Sequence, residues 1–475
     1  MPQPTTASAF PFGVASGDVS HDRVVLWTKV ASPGEIVNWE CAAVDGGPAR
    51  SGKAPSDPVT GSVHIGVEGL EPGVRHRYRF EAGGASSIDG YFRTIPTDRA
   101  VRFAVASCAK YNSGYFNGYR AIARLDDIDF VLHLGDYIYE AAQIPTGKQT
   151  AGAATDRPMD PLGDCVTRED YDRRYALYRA DPDLQLVHAR HAMMATIDDH
   201  ELSDNAWLGG AQEHEEEHQG PWSDRRDAAL TVWSDWMPTL RRPAHGDPIW
   251  QEIDLGVAGR ILLGETRLAR SDPDGPRVPE KTALGLEQRG FMLERLTTPN
   301  PGWTFLALPS MLSDLDAAIA DETALFALHK LKMAEADEPE SFHDLWDNFD
   351  IEQDALMDAA ALADRTVVLS GDVHFSAEHV NPLRNGGEFI EWTTPSLTSA
   401  NLDDKMHWPR GTESRTYEAA MVRMLRDLRW CDLDSHGFLV IDCAPERLSC
   451  QWWFVDEVLA PSDGIELGHE VVLTP

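Results

Sequence analysis

The sequence predicts an N-terminal all-β sandwich over residues 1–97 and a larger α/β domain over residues 98–475. Three observations lead to this prediction. Short alternating segments separated by turn residues fill the first part, whereas short apolar runs alternate with longer helical stretches in the second. In addition, four apolar runs of the second part are followed by residue types that commonly bind metal ions.

In the first part, residues 24–27 (VVLW) and 75–80 (RHRYRF) have the composition and alternation of strands. Turn sequences such as SPG at 32–34 separate these segments. Short strands at this spacing are typical of a small sandwich. Residues 95–98 (IPTD) predict a linker, because the pattern changes directly after them.

The composition excludes some classes of function. The chain has 475 residues, with 42 Lys+Arg against 77 Asp+Glu, so its formal net charge is −35. Nucleic acids attract basic surfaces, so this charge argues against nucleic-acid binding as the main role. Docking on an anionic membrane surface is disfavoured for the same reason. No apolar run is long enough to predict a membrane span.

The cysteines and the N-terminus bear on the compartment. Six cysteines without a CxxC pair are too sparse for a disulfide scaffold. The opening MPQPTTASAFPFG shows neither the basic segment nor the apolar core of a signal peptide. Two alternatives therefore stay open, a cytoplasmic protein or one whose leader is absent from this chain.

Four apolar runs of the second part end in residues that could be ligands. They lie at 102–106, 130–134, 193–197 and 366–369, and they lead into Ser107-Cys108, GDYIYE (135–140), DDHELSDN (198–205) and SGDVH (370–374). Sites of open α/β proteins lie beyond the carboxyl ends of the strands, so we expect these residues at one sheet edge. The glycine before Asp136 and before Asp372 permits a tight turn there.

These residue types indicate a metal-dependent chemistry. Carboxylate, imidazole and amide groups suit hard or borderline cations, whereas thiolate and phenolate suit a transition metal of high charge. One carboxylate can bridge two cations ~3.5–4 Å apart, and such a pair polarises a phosphoryl oxygen and generates hydroxide near neutral pH. A nearby histidine can protonate the leaving oxygen. The sequence therefore predicts a phosphate-ester hydrolase in which a metal-bound hydroxide attacks phosphorus.

Each pattern by itself also has a structural explanation. Gly-Asp after a strand is common turn chemistry, a buried cysteine is often a small apolar side chain, and acids favour helix N-termini. The occurrence of all the patterns at strand ends favours the metal site. The alternative function is a non-catalytic polymer-binding protein with a decayed second domain, which is expected to have lost ligands.

The motifs FAVASC, HLGDYIYE, DDHELSDNAW and LSGDVHFSAEH, in this order and at these separations, resemble the PhoD-type alkaline phosphatases and phosphodiesterases. This family is a branch of the calcineurin-like metallophosphoesterases. The opening FPFGVASGDVSHDRVVLWTKV resembles the family's N-terminal domain. The resemblance implies a β-sandwich followed by a four-layer α/β/β/α metallophosphoesterase domain, an extracytoplasmic location and a phosphate mono- or diester as substrate.

The resemblance also implies site roles and cofactors. It implies Fe³⁺ and Ca²⁺ as the metals, with Asp136 as the bridging carboxylate and His200 near the leaving group as the catalytic residue. The implied metal ligands are Cys108, Asp136, Tyr139, Asp199, Asp204, Asn205, Asp372 and His374.

The sequence departs from the family pattern at two places. The family commonly has Asn four residues after the histidine of DDHE, where this chain has Asp204 followed by Asn205. Either Asp204 coordinates, or the loop shifts and Asn205 does. The family also tends to have Asp-Thr-Arg after a later strand, where this chain has Glu265-Thr266-Arg267.

Two further histidine patterns are set apart from the site. His214 and His218 satisfy the HExxH pattern of zinc proteases, but no apolar stripe accompanies them and glycines flank them. We expect a solvated acidic loop there. His133 lies inside an apolar run, and we expect it to be a core histidine.

Overall fold

The structure is a computed structural model, and it describes residues 9–142, 155–276, 278–313, 320–331, 345–363, 365–382, 388–425 and 427–474. Its N-terminal part is rich in β-structure. The strands there are β1 (Val14–Gly17), β2 (Arg23–Lys29), β3 (Ile36–Ala43), β4 (Arg50–Pro55), β5 (Ser62–Glu68), β6 (Arg75–Ala82), β7 (Ala85–Ser86) and β8 (Gly90–Arg93).

These strands form two sheets. One has the order β1-β2-β5, and the other has the order β4-β3-β6-β7 with β8 also paired to β6. Leu26 and Val63 of the first sheet belong to the same buried cluster as Val37, Phe80 and Phe92 of the second. The alternation in β6, where every second side chain is buried, is the pattern that predicted this strand.

The remaining strands form two larger sheets, with the orders β11-β10-β9-β19-β20-β21 and β12-β13-β14-β15-β17-β16-β18. The strands are β9 (Val101–Ala106), β10 (Phe130–His133), β11 (Met193–Ala195), β12 (Gln251–Asp254), β13 (Gly259–Leu263), β14 (Trp303–Ser310), β15 (Thr366–Gly371), β16 (Ser376–Pro382), β17 (Glu388–Thr393), β18 (Leu428–Asp432), β19 (Gly437–Ala444), β20 (Arg447–Val455) and β21 (Ile465–Leu473).

The helices lie between these strands in sequence. They are α1 (Asn117–Ala123), α2 (Arg168–Arg179), α3 (Pro182–Arg190), α4 (Glu216–Gln219), α5 (Trp222–Trp236), α6 (Leu286–Thr297), α7 (Glu322–Lys330), α8 (Asp350–Leu362), α9 (Leu402–Met406) and α10 (Ser414–Met424). Helix α2 begins with a capping box between Thr167 and Asp170. Asp181 caps α3, and proline occupies the first turn of that helix.

The two large sheets pack face to face. The rings of Phe103 on β9 and Phe305 on β14 meet edge to face, with centroids 5.6 Å apart. On the outer face of the first sheet, Val131 shares a buried cluster with Val187 of α3. On the outer face of the second sheet, Val368 shares a cluster with Met292 of α6 and with side chains of α8. Burial of both faces explains the continuous apolar runs of these strands.

The expectation that the four ligand-bearing strands share one sheet is wrong. Strands β9, β10 and β11 are parallel neighbours in the first sheet, whereas β15 lies among the parallel strands of the second. The carboxyl ends meet because the sheets are stacked. A Cβ atom on Gly371 would lie 2.5 Å from the Ser107 hydroxyl oxygen, so only glycine permits this approach.

Two composition-based predictions can be compared with the fold. All six cysteines are buried and none is in a disulfide. Among the described helices, none has the length and apolar character needed to cross a bilayer. The boundary between residues 97 and 98 stays a prediction.

Candidate metal centre

The loops after these strands contain unusual backbone conformations. Cys108, Asp136, Asn205, Asp372 and His374 all have left-handed φ values, between 53° and 71°. Such a conformation costs ~1–2 kcal/mol for a residue with a side chain. Residues held in this way cluster at functional sites, where the surrounding structure must compensate for the cost. Five of the predicted ligands share this property, which no sequence pattern reveals.

Gly135 allows two of the loops to approach closely. Its φ is +93°, and a Cβ atom there would lie 2.6 Å from the Cβ atom of Asp198. Glu201 then joins the same two loops. Its buried carboxylate accepts hydrogen bonds from the backbone N–H of Asp136, Tyr137 and Asp198. Sequence reasoning missed this structural role of Glu201.

Cys108, Asp136 and His374 form one group of potential ligands. One donor atom from each lies within 4.8 Å of the others. Tyr139 lies among them, because its hydroxyl donates to Oδ2 of Asp136 at 2.8 Å and lies 3.1 Å from Nε2 of His374. The structure therefore brings four predicted ligands together.

The imidazole of His374 is oriented for coordination. Its Nδ1 lies 3.2 Å from the carbonyl oxygen of Ala400 and donates to it, so that Nε2 faces Tyr139. Burial lowers the pKa of His374 well below its usual value. A neutral ring with Nδ1 protonated presents the Nε2 lone pair that a metal requires.

The electrostatics of the acidic groups fit a bound cation. Burial raises the pKa of the Cys108 thiol well above its usual value, and the neighbouring Asp136 carboxylate adds to the rise. Burial also raises the pKa of Asp136. Its Oδ1 atom is buried without a hydrogen-bond partner among the described residues. A bound cation would neutralise the negative charge of Cys108 and Asp136, and it would lower both pKa values because it favours the deprotonated forms.

Asp136 belongs to two further groups of potential ligands. One contains Asp198 and Asp372, and the other contains Asp199 and His200. Asp136 is thus common to three groups, as expected for a bridging carboxylate. Sequence reasoning missed Asp198 as a potential ligand, although its position directly after the β11 run was a usable signal.

His200 contacts two acidic side chains. Its Nδ1 atom lies 2.7 Å from Oε2 of Glu140, and its Nε2 atom lies 3.6 Å from Oδ1 of Asp204. Burial alone would lower the pKa of His200, but Asp199 and Glu140 outweigh it and hold the pKa well above its usual value. Glu140 was not predicted, because its partner lies 60 residues away.

Asp204 and Asn205 lie at the margin of the cluster. The backbone N–H of Asp204 donates to Glu140 at 2.7 Å, and its carboxylate faces His200. The backbone N–H of Asn205 donates to Oδ2 of Asp199 at 2.7 Å, and its amide nitrogen donates to Gln212 at 2.5 Å. The choice between the two as metal ligand stays a prediction.

Arg267 forms a buried ion pair with Asp198, in the segment that follows β11. Its side chain is fully buried, and Nε lies 2.5 Å from Oδ1 of Asp198. Glu265 positions it, since that carboxylate accepts the backbone N–H of Arg267 and of Leu268, each at 2.8 Å. Burial raises the pKa of Glu265 to about 7. The longer side chain in place of aspartate therefore still leaves Arg267 against the cluster.

The other histidines do not form a second centre among the described residues. Nε2 of His214 lies 3.1 Å from the carbonyl oxygen of Gly220, whereas His218 is exposed on the four-residue helix α4. This short helix does not supply the scaffold of a zinc protease. His133 is fully buried and lies 2.7 Å from the Tyr119 hydroxyl, as expected for a core histidine.

Comparisons with known proteins agree with this arrangement. Residues 103–452 match the family described as PhoD-like phosphatase, and residues 2–96 match its N-terminal domain. The chain is 30% identical over 405 residues to alkaline phosphatase D of Bacillus subtilis (strain 168), covering 78% of this chain and 65% of that protein. It therefore spans slightly less than two thirds of the relative's length.

A solved structure of PhoD shows the same fold. The two superpose with a TM-score of 0.83 at 24% identity, over 100% of this chain and 92% of the other. At this identity the likeness concerns the fold alone. Together with the match over residues 103–452, these findings show that the chain belongs to the PhoD-like phosphatase family.

Proposed function

We propose that the protein is a metal-dependent phosphate-ester hydrolase. The observation that carries this proposal is Asp136, which is shared by three groups of potential ligands where the two sheets meet. A decayed, polymer-binding relative would have lost such ligands. Cys108, Tyr139, Asp372 and His374 all remain in this chain, which supports catalysis over the alternative.

The types of donor atom in these groups indicate which metals the centre would hold. Cys108, Tyr139 and His374 suit a transition metal of high charge, and we propose Fe³⁺ there. The all-carboxylate group of Asp136, Asp198 and Asp372 suits a hard cation, and we propose Ca²⁺ there. Such cations, when bound, would neutralise the phosphoryl oxygens and activate a water for attack on phosphorus.

The protein's own residues supply the proton transfer. His200 is the proposed donor to the leaving oxygen, and Glu140 orients its ring through the 2.7 Å contact to Nδ1. This contact leaves Nε2 as the nitrogen that faces Asp204 and the centre. Arg267 neutralises part of the charge of Asp198, and this ion pair holds the segment after β11 in place.

The net charge bears on how substrate is held. A protein of charge −35 repels an anionic ester at a distance, although screening limits this field to ~10 Å at moderate salt. Cations bound at the centre would reverse the sign of the electrostatic potential locally. A diester carries one charge less than a monoester, and comparison of kcat/KM on matched aryl mono- and diesters distinguishes them.

We also propose the finer architecture and location. The two stacked sheets with helices on their outer faces support a four-layer α/β/β/α phosphoesterase domain over residues 98–475, after a sandwich over residues 1–97. We propose an extracytoplasmic location, as the family resemblance implies. There the enzyme would hydrolyse secreted or membrane-associated phosphate esters. Fractionation of cells that express the native gene tests this location.

The test of function is the Asp136→Ala variant with aryl phosphate mono- and diesters. We expect kcat to fall by at least about 1000-fold, because all three ligand groups lose their common member. Hydrolysis at the wild-type rate would refute the mechanism. The exposed Asp98→Ala variant is the control and should keep full activity.

The proposed metals have a visible signature. Thiolate or phenolate bound to Fe³⁺ gives a charge-transfer absorption, so a concentrated sample should be coloured and contain iron. Cys108→Ser should shift that absorption. A colourless, iron-free and active protein would exclude Fe³⁺ while leaving the hydrolase proposal intact.

A further inference from the structure

Lys110 places a positive charge beside the proposed metal centre. It follows Cys108 by two residues in the loop after β9, and its carbonyl oxygen accepts the hydroxyl of Thr398 at 2.9 Å. Its ammonium nitrogen lies over the ring of Tyr139, 5.3 Å from the ring centroid. The loop that supplies the proposed thiolate ligand therefore also brings a cation to the proposed phenolate ligand.

This ammonium borders the side of the centre that reaches solvent. Tyr139 is buried, and the centroid of its ring lies 4.0 Å from that of His200. The side chains of His200 and Asp204 are 15% and 27% exposed, and Lys110 is half-buried. Because Lys110 and His200 both contact the Tyr139 ring, an ester that reaches the proposed proton donor also comes close to the ammonium.

Two other cations of this region are directed elsewhere. Arg267 is fully buried and pairs with Asp198. Nζ of Lys405, on α9, donates to the carbonyl oxygen of Leu331 at 3.5 Å. Of these three cations, Lys110 is the one that lies over the ring of a proposed ligand and is placed to contact a substrate.

The charge of the substrate decides what this ammonium can do. Above about pH 6 a phosphate monoester carries one more negative charge than its matched diester. Both kinds of ester have two terminal oxygens that the metal centre can bind, so discrimination depends on groups beside the metals. The third terminal oxygen of the monoester is an ester oxygen in the diester. An ammonium donates a strong, charge-assisted hydrogen bond to the former and gains little from the latter.

We propose that Lys110 is a substrate-binding residue that selects phosphate monoesters over diesters. Its ammonium donates to the third terminal oxygen of the monoester, beside the ring of Tyr139. This inference rests on the proposed hydrolase function and names the substrate class of that site. The same contact offsets part of the repulsion between a doubly charged ester and a protein of net charge −35.

Substitution of Lys110 tests this selectivity in the metal-loaded, full-length protein. The measurement is kcat/KM at about pH 8 for 4-nitrophenyl phosphate and for its methyl diester, so that the monoester is doubly charged. Lys110→Met should lower the monoester value about 10- to 100-fold and the diester value less than about threefold. The loss should appear chiefly in KM, because the contact forms in the ground state and the transition state alike. Lys110→Arg should restore most of it.

Lys53→Met is the matched control, since it removes the same charge from an exposed position on β4. It should leave the ratio of the two esters unchanged. An equal loss on both esters in Lys110→Met would overturn the inference, because Lys110 would then only support Tyr139. Hydrolysis of neither ester by the wild type would refute the proposed function itself, and this inference with it.

Competitive inhibition gives a second test that needs no variant. Inorganic phosphate, mainly a dianion at that pH, should inhibit the wild type at least about tenfold more strongly than dimethyl phosphate, a monoanion. Equal inhibition constants would contradict the selection of a doubly charged phosphoryl group.

Discussion

The Nδ1 atom of His200 lies 2.7 Å from Oε2 of Glu140, a carboxylate that is itself buried. Glu140 follows the proposed ligand Tyr139 directly, so one loop both supplies a ligand and orients the proposed acid. The second oxygen of Glu140 accepts the backbone N–H of Asp204. Glu140 thus joins the loop after β10 to the segment after β11, as Glu201 also does.

Glu140→Gln should impair catalysis more than folding. The amide cannot stabilise a protonated His200 as the carboxylate does, so we expect kcat to fall about 10- to 100-fold. The loss should be larger for phenyl phosphate than for 4-nitrophenyl phosphate, because the poorer leaving group needs the proton more. Steady-state kinetics with both esters measure this difference.

Glu352→Gln is the matched control for that prediction. Glu352 is equally buried and accepts hydrogen bonds from Thr282 and Ala283, away from the centre. Its replacement should leave the ratio of the two esters unchanged. An equal loss on both esters in Glu140→Gln would argue that Glu140 has only a structural role.

Arg267→Met should destabilise the metal-free protein in particular. Removal of one partner of a buried ion pair costs about 3–5 kcal/mol, since Asp198 is left without its 2.5 Å contact to Nε. Bound cations would compensate the same carboxylate, so the free energy of unfolding should fall less in the metal-loaded form. Denaturant unfolding with and without a chelator measures both values.

Arg270→Met serves as the control for Arg267. Arg270 is also fully buried, but it donates to the carbonyl of Leu345 and lies over the ring of Phe349. Its removal should destabilise both forms equally. If Arg267→Met behaved in the same way, Arg267 would have no specific link to the metal centre.

Asn205→Ala should reduce metal content more than Asp204→Ala. Asn205 has a left-handed backbone like four other proposed ligands, and its N–H is bound to Asp199. Asp204 instead faces His200 at 3.6 Å. Metal analysis after dialysis against a weak chelator compares the two variants. A greater loss in Asp204→Ala would assign the ligand to the carboxylate.

A buried acidic cluster away from the centre should make stability depend on pH. Burial raises the pKa of Glu418 from its ordinary 4.5 to about 7, and Asp432 adds to the rise. The folded state therefore binds the proton more tightly than the unfolded state. The contribution of Glu418 to the free energy of unfolding is therefore full below about pH 4.5, and it is lost as the pH rises towards 7.

The size of this pH dependence follows from the rise in the pKa of Glu418. We expect a loss of about 2–3 kcal/mol in the free energy of unfolding over that interval, and Glu418→Gln should remove it. Urea unfolding between pH 5 and 8 measures the difference. The exposed Glu413→Gln, next to the same helix, should leave the pH dependence intact. An unchanged profile in Glu418→Gln would show that other groups cause it.

Residues of the centre could be predicted from the sequence where the signal is local, and were missed where their role depends on a partner distant in sequence. Cys108, Asp136, Asp372 and His374 each follow an apolar strand directly, so a local pattern predicted that they could be ligands. Asp198 had the same signal, but it was not assigned a role. Glu140 and Arg267 depend on partners 60 and 69 residues away, and no local pattern encodes such a distance.

The sequence by itself determined the β-rich first part, the alternating second part and the residue types of the centre, because strand periodicity and the residues after each strand are local properties. Only the tertiary structure decided that β15 belongs to a second sheet and that the sheets stack with their carboxyl ends together. The physical reason is packing, since the contacts between sheets arise from complementary surfaces distant in sequence.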